Sequence, residues 1–175
     1  MYEDIFQSDS APKKLSCLFV NNGALYLDGN EIPLDNHNNK EKVNIVSLPT
    51  STRVIAIACK CTDSVCAMAC SATDDYVSTD QTWKCATTVD SSWMNLDYDD
   101  RNWNNAVLLS DSYQKVHVSD DADFEGKYIW TSSYIDVKKT AVIRRDLHVF
   151  CRAVIGKFIS QTFNESGMIL RHPGV

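Results

Sequence analysis

Three of the four tryptophans of this chain, Trp83, Trp93 and Trp103, lie ten residues apart. An indole ring is too large and apolar to be left wholly in water, and its N–H group needs a hydrogen-bond partner. The residues between the tryptophans are mostly polar turn formers, and they include an acidic cluster at 97–100. A helix does not place bulky anchors at this spacing with such residues between them. We therefore expect irregular chain and short strands, pinned to a core by indole rings.

The rest of the chain predicts many short strands. The stretch 53–61 is the richest in β-branched residues and predicts a central strand. Asp28-Gly29-Asn30 is typical of a type I′ hairpin turn. No long stretch keeps a helical apolar period, so the expected fold is all-β, an antiparallel sandwich or barrel. Further strands are predicted at 15–20, 24–27, 43–48, 73–79, 106–109, 113–118, 128–130, 140–143 and 147–154, whereas 62–71 shows little periodicity.

An ordered set of motifs resembles one known family. The set is Trp-Lys-Cys at 83–85, a second tryptophan, Asp-Asp-Arg-Asn-Trp at 99–103, Tyr-Ile-Trp-Thr-Ser at 128–132 and Phe-Cys-Arg at 150–152. It resembles the galactose-binding-domain-like β-sandwich modules of secreted proteins of marine invertebrates and other eukaryotes, and of glycosidase accessory domains. The resemblance covers roughly residues 17 to 155. It implies a jelly-roll sandwich and a disulfide between Cys85 and Cys151.

These observations predict one domain. We expect a loosely held N-terminus at 1–14, a β-sandwich at 15–155, and a C-terminal strand or tail of the same domain at 156–175.

Charge narrows the partner classes. The formal net charge is −6 and the isoelectric point is about 5.1. Nucleic acids and anionic membrane surfaces require clustered Lys and Arg, so neither is expected. No apolar run approaches the ~20 residues of a membrane span. Neutral sugars, cations and proteins remain as partners.

The seven cysteines point to an oxidising compartment. Four of them, Cys59, Cys61, Cys66 and Cys70, form a cluster in which zinc thiolates are an alternative to disulfides. Zinc sites usually contain two C-x2-4-C pairs, or a Cys pair with a His pair, whereas this cluster begins C-x-C. Disulfides of open connectivity are therefore favoured over zinc, and mostly free thiols are the remaining alternative. Because seven is odd, one thiol is left over. We expect it to be Cys17, either buried or linking two chains into a homo-oligomer.

The compartment is predicted from two opposing signals. The first ten residues are acidic and lack the apolar stretch of a signal peptide, which alone would favour the cytosol. The cysteine content favours the mature form of a secreted, extracellular protein.

Acidic loops suggest one cofactor. Asp120, Asp121, Asp123 and Glu125 precede Gly126, and carboxylates in a tight turn can converge on Ca²⁺. The resemblance adds weight to a structural Ca²⁺ here, and the alternative is a solvated acidic turn. Asp99 and Asp100 are instead expected to accept backbone N–H groups in the turn before Trp103.

The candidate ligand-binding residues are aromatic and basic. Sugars stack their C–H faces on exposed rings while polar side chains bind the hydroxyl groups. Three tryptophans lie in apolar or strand contexts and are expected in the core, namely Trp83, Trp103 and Trp130. The expected ligand-binding residues are Trp93, Tyr98, Tyr134, Arg144 and Arg145. The two arginines have an alternative role in surface salt bridges with Asp136 or Asp146.

The predicted function is non-catalytic binding of extracellular carbohydrate by a lectin-like module. None of the four histidines lies in a metalloprotease or nucleophile motif, so no enzyme activity is expected. The first alternative is a structural or adhesive matrix protein assembled through disulfides. The second is an accessory part of a glycosidase or esterase.

Overall fold

The computed structural model describes residues 12–35, 42–60, 67–73, 76–109, 124, 126–131 and 148–155. Within these ranges the chain forms ten strands and no α-helix. In chain order they are β1 (Lys13–Phe19), β2 (Asn22–Leu27), β3 (Asn30–Ile32), β4 (Asn44–Leu48), β5 (Val54–Lys60), β6 (Met68–Ala72), β7 (Lys84–Ala86), β8 (Asn104–Leu108), β9 (Ile129–Thr131) and β10 (His148–Val154). β1 thus begins inside the segment that was predicted to be a loose terminus.

The strands form one antiparallel sheet in the order β3-β2-β5-β10-β7-β8-β9-β6-β1-β4. We call the part from β3 to β8 the first half-sheet and the part from β9 to β4 the second half-sheet. Leu25 on β2 and Leu15 on β1 stand near opposite ends of this order, yet both belong to one buried cluster. The sheet therefore curls around a single inner core. The all-β prediction is confirmed, and the nearly barrel-like arrangement is compatible with a sandwich.

Strand β5 occupies the interior position that its sequence predicted. It pairs with β2 on one side and with β10 on the other. Of its residues only Ala58 and Lys60 are partly exposed. β-branched and small apolar side chains pack well on both faces of such a strand.

The predicted hairpin turn between β2 and β3 is confirmed. Asp28 and Gly29 have φ angles of 48° and 84°, the positive values that a type I′ turn requires. The Asp28 carboxylate accepts hydrogen bonds from the backbone N–H groups of Arg53 at 2.9 Å and Val54 at 2.7 Å. The turn is thereby fixed to the start of β5.

Two predictions of local structure were wrong. The segment 73–79 is not a strand where it is described, apart from an isolated bridge between Ser71 and Ser78. Conversely, β6 lies in 62–71 and beyond, where no strand was predicted. Its small side chains carry a weak strand signal, but all five residues are buried and β6 pairs with β1 and β9. Whether such a weakly predicted segment forms a strand is decided by its tertiary contacts. The strands predicted at 113–118 and 140–143 lie outside the described residues.

Both described disulfides join residues directly opposite each other on neighbouring strands. Cys85 on β7 is bonded to Cys151 on β10, the pair that the resemblance implies. Cys17 on β1 is bonded to Cys70 on β6. The Cα atoms are 4.2 Å apart in each pair, close to the spacing of a non-hydrogen-bonded antiparallel pair.

The prediction that Cys17 is the unpaired cysteine was therefore wrong. Among the described cysteines it is Cys59, which was expected in a disulfide, that is free and fully buried. Its neighbours across the ladder are Gly23 and Val149, neither of which carries a thiol. Burial raises the pKa of the Cys59 thiol to about 12. Cys61 and Cys66 lie outside the described residues.

In the described ranges no helix is long and apolar enough to cross a bilayer.

Candidate functional site

A second hydrophobic cluster covers part of the outward face of the first half-sheet. Residues 87–103, which we call the tryptophan loop, pack Trp93 and Trp103 onto Val54 and Ala56 of β5. These four buried residues are separate from the inner core. The loop therefore forms an extra layer on the side of β5 that faces away from the core.

Three short turns shape the tryptophan loop and the residues just before it. An aspartate stands three residues before each of the ten-spaced tryptophans. In each turn the aspartate carbonyl accepts the tryptophan backbone N–H, at 3.4 Å for Asp80 and Trp83, 3.4 Å for Asp90 and Trp93, and 2.9 Å for Asp100 and Trp103. Sequence reasoning noted the tryptophan spacing but missed the matching aspartates, although both were visible in the sequence.

The first two turns are reinforced by side chains. The Asp80 carboxylate accepts the Thr82 backbone N–H at 2.7 Å, and the Asp90 carboxylate accepts that of Ser92 at 2.8 Å. Both also accept the hydroxyl of the same residue. These bonds to Ser92 lower the pKa of Asp90. Such aspartate turns are closed by hydrogen bonds between residues that are close in sequence.

Trp93 is not an exposed sugar platform, contrary to the prediction. Its side chain is only 4% exposed. The ring centroid lies 5.5 Å from that of Tyr26, 6.4 Å from that of Trp103 and 5.1 Å from that of Phe150. The prediction that Trp83, Trp103 and Trp130 are core residues is confirmed.

Arg152 on β10 holds the tryptophan loop from below, with its side chain fully buried. Its Nη1 donates to the Tyr98 carbonyl at 2.9 Å, and its Nη2 donates to the Asn95 carbonyl at 3.0 Å. Nη1 also lies 3.3 Å from the Asp100 carboxylate, whereas the buried Nε has no partner. Burial lowers the pKa of Arg152, and the nearby Asp100 carboxylate opposes that shift. Sequence reasoning cited the Phe-Cys-Arg motif but gave this arginine no role.

The two adjacent aspartates of the loop differ in environment. Asp99 accepts the Arg101 backbone N–H at 3.1 Å, as predicted, and forms an exposed ion pair with the Arg101 guanidinium at 2.6 Å. Asp100 is 8% exposed, and its carboxylate faces Arg152. Its predicted turn role is filled by its carbonyl, which accepts the Trp103 N–H.

Tyr98 is the candidate ligand residue that the structure leaves partly exposed. Its ring centroid lies 5.5 Å from that of Trp103, at a steep interplanar angle of 65°. The Arg152 Cζ atom lies 5.5 Å from the Tyr98 ring centroid, a cation–π distance. Asp97, Asp99 and Arg101 are exposed beside it in the chain. The tyrosine therefore sits on a fixed backbone among polar side chains.

The other candidate residues lie outside the described part of the chain. These are the ligand candidates Tyr134, Arg144 and Arg145 and the calcium candidates Asp120, Asp121, Asp123 and Glu125. Among the described residues, no group of three or more His, Cys, Asp or Glu side chains is placed to hold a metal ion.

Comparison of the chain with protein-family models, curated proteins and solved structures finds no match.

Proposed function

We propose that this chain is a non-catalytic, extracellular carbohydrate-binding module with a jelly-roll fold of the galactose-binding-like type. The observation that carries the proposal is the placement of Tyr98. The residue is partly exposed, while its carbonyl is fixed by a buried guanidinium. A binding ring that is already held in place loses little conformational entropy when a ligand stacks on it.

The surroundings of Tyr98 suit a sugar. A pyranose presents an apolar C–H face, which stacks on an aromatic ring, and hydroxyl groups at its rim. Asp97 and Asp99 supply acceptors for hydroxyl groups, and Arg101 supplies donors. All three are exposed. This combination of one ring with both kinds of hydrogen-bonding group supports carbohydrate as the ligand class.

Disulfide-linked assembly, the main alternative, receives less support from the described cysteines. Cys17, which was expected to link two chains, is bonded within the chain, and Cys59 is buried. The two intramolecular disulfides are compatible with an extracellular protein.

A structural Ca²⁺ at residues 120–125 remains part of the proposal. We expect a chelator to lower the melting temperature and the Asp121→Ala and Asp123→Ala variants to reproduce that loss. An unchanged melting temperature with chelator would remove calcium from the proposal.

The function is tested by a broad glycan array followed by titration of the best sugar, monitored by tryptophan fluorescence. Trp103 lies against Tyr98, so a sugar on Tyr98 should change the emission. We expect Tyr98→Ala to weaken binding at least tenfold, and Tyr98→Phe to retain most of the affinity because the ring remains.

Thr88→Ala, an exposed position of the same loop, is the matched control. A silent array together with a silent titration would refute carbohydrate binding. Binding that is unchanged in Tyr98→Ala would refute the assignment of this residue.

A further inference from the structure

The two edge strands of the sheet differ in how well they are protected against pairing with another chain. β3 and β4 stand at opposite ends of the strand order and do not pair with each other. β3 has only three residues, contains the exposed Glu31 and is followed by Pro33. A short strand, an exposed charge and a proline are features that keep an edge from recruiting a further strand. β4 has five residues, Asn-Ile-Val-Ser-Leu, and none of them is charged or a proline.

The hydrogen-bond pattern of β1 shows which backbone groups of β4 point away from the sheet. The Val20 N–H donates to the Ala67 carbonyl at 2.9 Å, in line with the pairing of β1 and β6. Hydrogen-bonded and non-hydrogen-bonded pairs alternate along antiparallel strands. The pair of Cys17 and Cys70, three positions along, is therefore non-hydrogen-bonded, as its Cα separation of 4.2 Å also indicates. Cys17 thus directs its N–H and C=O toward β4, where it pairs with Asn44.

Ile45 and Ser47 consequently direct their N–H and C=O groups to the outer side of β4, because they alternate with Asn44 along the strand. Within the described ranges, no strand and no backbone group pairs with this side. Both residues are exposed, and Ile45, at 57%, is the one exposed large apolar side chain of those ranges. An edge with outward donors and acceptors and a β-branched side chain is a template for one more strand.

The chemistry of this edge fits a second copy of the same chain. The outward N–H and C=O groups are identical on both copies, so two β4 strands related by a two-fold axis run antiparallel and satisfy each other. A register centred on Ile45 places this side chain opposite Ile45 of the second copy, and the two apolar groups shield each other from water. Since β4 carries no charge, the pairing brings no like charges directly opposite each other.

We propose that the outer side of β4 is a self-association surface, through which two copies form a symmetric dimer with one continuous antiparallel sheet. A single five-residue strand buries less area than a stable interface requires, so the dimer is weak and reversible. The proposal does not depend on the proposed function, because Tyr98 lies in the tryptophan loop on the first half-sheet and β4 is the last strand of the second.

The test combines sedimentation equilibrium with amide hydrogen exchange of the full chain, from roughly 10 µM to about 1 mM protein. We expect a monomer–dimer equilibrium that does not weaken as salt is raised, because two copies of net charge −6 repel each other. The amides of Ile45 and Ser47 should exchange about threefold or more slowly at the highest concentration. Those of Asn44 and Val46, which are already bonded to β1, should not change.

Two variants alter the outer side of β4 and leave its ladder with β1 intact. Ser47→Pro removes one outward N–H, at a position where an edge strand tolerates proline. Ile45→Lys places a cation opposite its own copy at the centre of the interface. Each should weaken dimerisation by about tenfold or more. Glu31→Lys, an exposed change on the β3 edge, is the matched control. The amide spectrum of each variant verifies that it is folded.

Several results would overturn the proposal. A chain that stays monomeric at every concentration does not pair through β4. A dimer that neither Ser47→Pro nor Ile45→Lys weakens uses another surface. Assemblies that grow beyond the dimer and are lost in Glu31→Lys would show head-to-tail pairing of β4 with β3 of the next copy. None of these results affects carbohydrate binding at Tyr98, which the glycan array decides separately.

Discussion

The inner core and the outer layer, by which we mean the cluster under the tryptophan loop, use the same strands. They are closed off from solvent by different means. The inner core is enclosed by the sheet itself, and its buried cluster is apolar apart from cysteine sulfurs and the polar atoms of tyrosine and tryptophan rings. The outer layer is closed by irregular chain, whose carbonyls have no ladder partner. Two of those carbonyls are satisfied by the buried Arg152. A face covered by a loop therefore relies on a buried charged donor, whereas most backbone groups of a face covered by strands are paired along the ladder.

The largest effect expected is from removing that donor. Arg152→Met keeps most of the volume but removes the guanidinium donors from the Tyr98 and Asn95 carbonyls, of which only Asn95 also accepts a backbone N–H, and leaves the Asp100 carboxylate without its cation. Breaking a buried ion pair from one side costs about 3–5 kcal/mol. Urea unfolding should show this loss.

The matched control for Arg152 lies in the same loop. Arg101→Met removes the exposed ion pair with Asp99, and its unfolding midpoint should stay unchanged within error. Equal effects of the two substitutions would contradict the distinction between the layers.

The two described disulfides, one in each half-sheet, allow a test of whether the half-sheets depend equally on their cross-links. The bonded cysteines are separated by 53 and 66 residues. Because loop-closure entropy varies with the logarithm of loop length, each disulfide should stabilise by about 4 kcal/mol. We expect the C17A/C70A and C85A/C151A variants to lose nearly equal free energies of unfolding. A difference above about 2 kcal/mol would show that packing around the sulfurs, rather than chain entropy, decides the loss.

A smaller effect is expected from substituting Thr79, a buried side chain that hydrogen-bonds a backbone carbonyl. The fully buried Thr79 hydroxyl donates to the Lys127 carbonyl at 2.6 Å and accepts the Cys70 N–H at 3.1 Å. Thr79→Val keeps the shape but leaves the carbonyl unsatisfied, at a cost of about 1–3 kcal/mol. Thr79→Ser retains the hydroxyl and should lose less. A Ser variant that is less stable than the Val variant would show that the methyl contact, rather than the hydrogen bonds, dominates.

The smallest effect expected is a pH dependence confined to the outer layer. Because the folded pKa of Asp90 is lowered by Ser92, the ionised carboxylate stabilises the fold above its unfolded pKa of about 4. This contribution is lost as the pH falls through the folded value. Wild type should exceed Asp90→Ala in unfolding free energy at neutral pH, and the gap should shrink at about pH 2. A gap that is constant with pH would contradict the role of the charge.

The sequence predicted those features that are determined by residues close together in the chain. The β-branched run of β5, the Asp28-Gly29 turn and the burial of Trp83 and Trp103 follow from side-chain size and backbone preference. The pairing of Cys85 with Cys151 came from a resemblance, and nothing comparable pointed to Cys17 and Cys70. Those two meet only because β1 and β6 are neighbours in the sheet.

The candidate site was less predictable because its contacts are distant in sequence. Trp93 stands between Ser-Ser and Met-Asn, which suggested exposure, but Tyr26 and Phe150 from remote strands cover it. The bond from Arg152 to the Tyr98 carbonyl spans 54 residues.

The two disulfides within the described residues also close two covalent rings, 17–70 and 85–151, that follow one another along the sequence. The rings are nevertheless interleaved in the sheet. Strand β5 belongs to the first ring, and it pairs with β10, which contains Cys151, the last residue of the second ring. A single proteolytic cut inside either ring leaves one covalent molecule, and the fragments stay beside their sheet neighbours. The protein is thus built to survive nicking in its loops, a property of value wherever proteases are present.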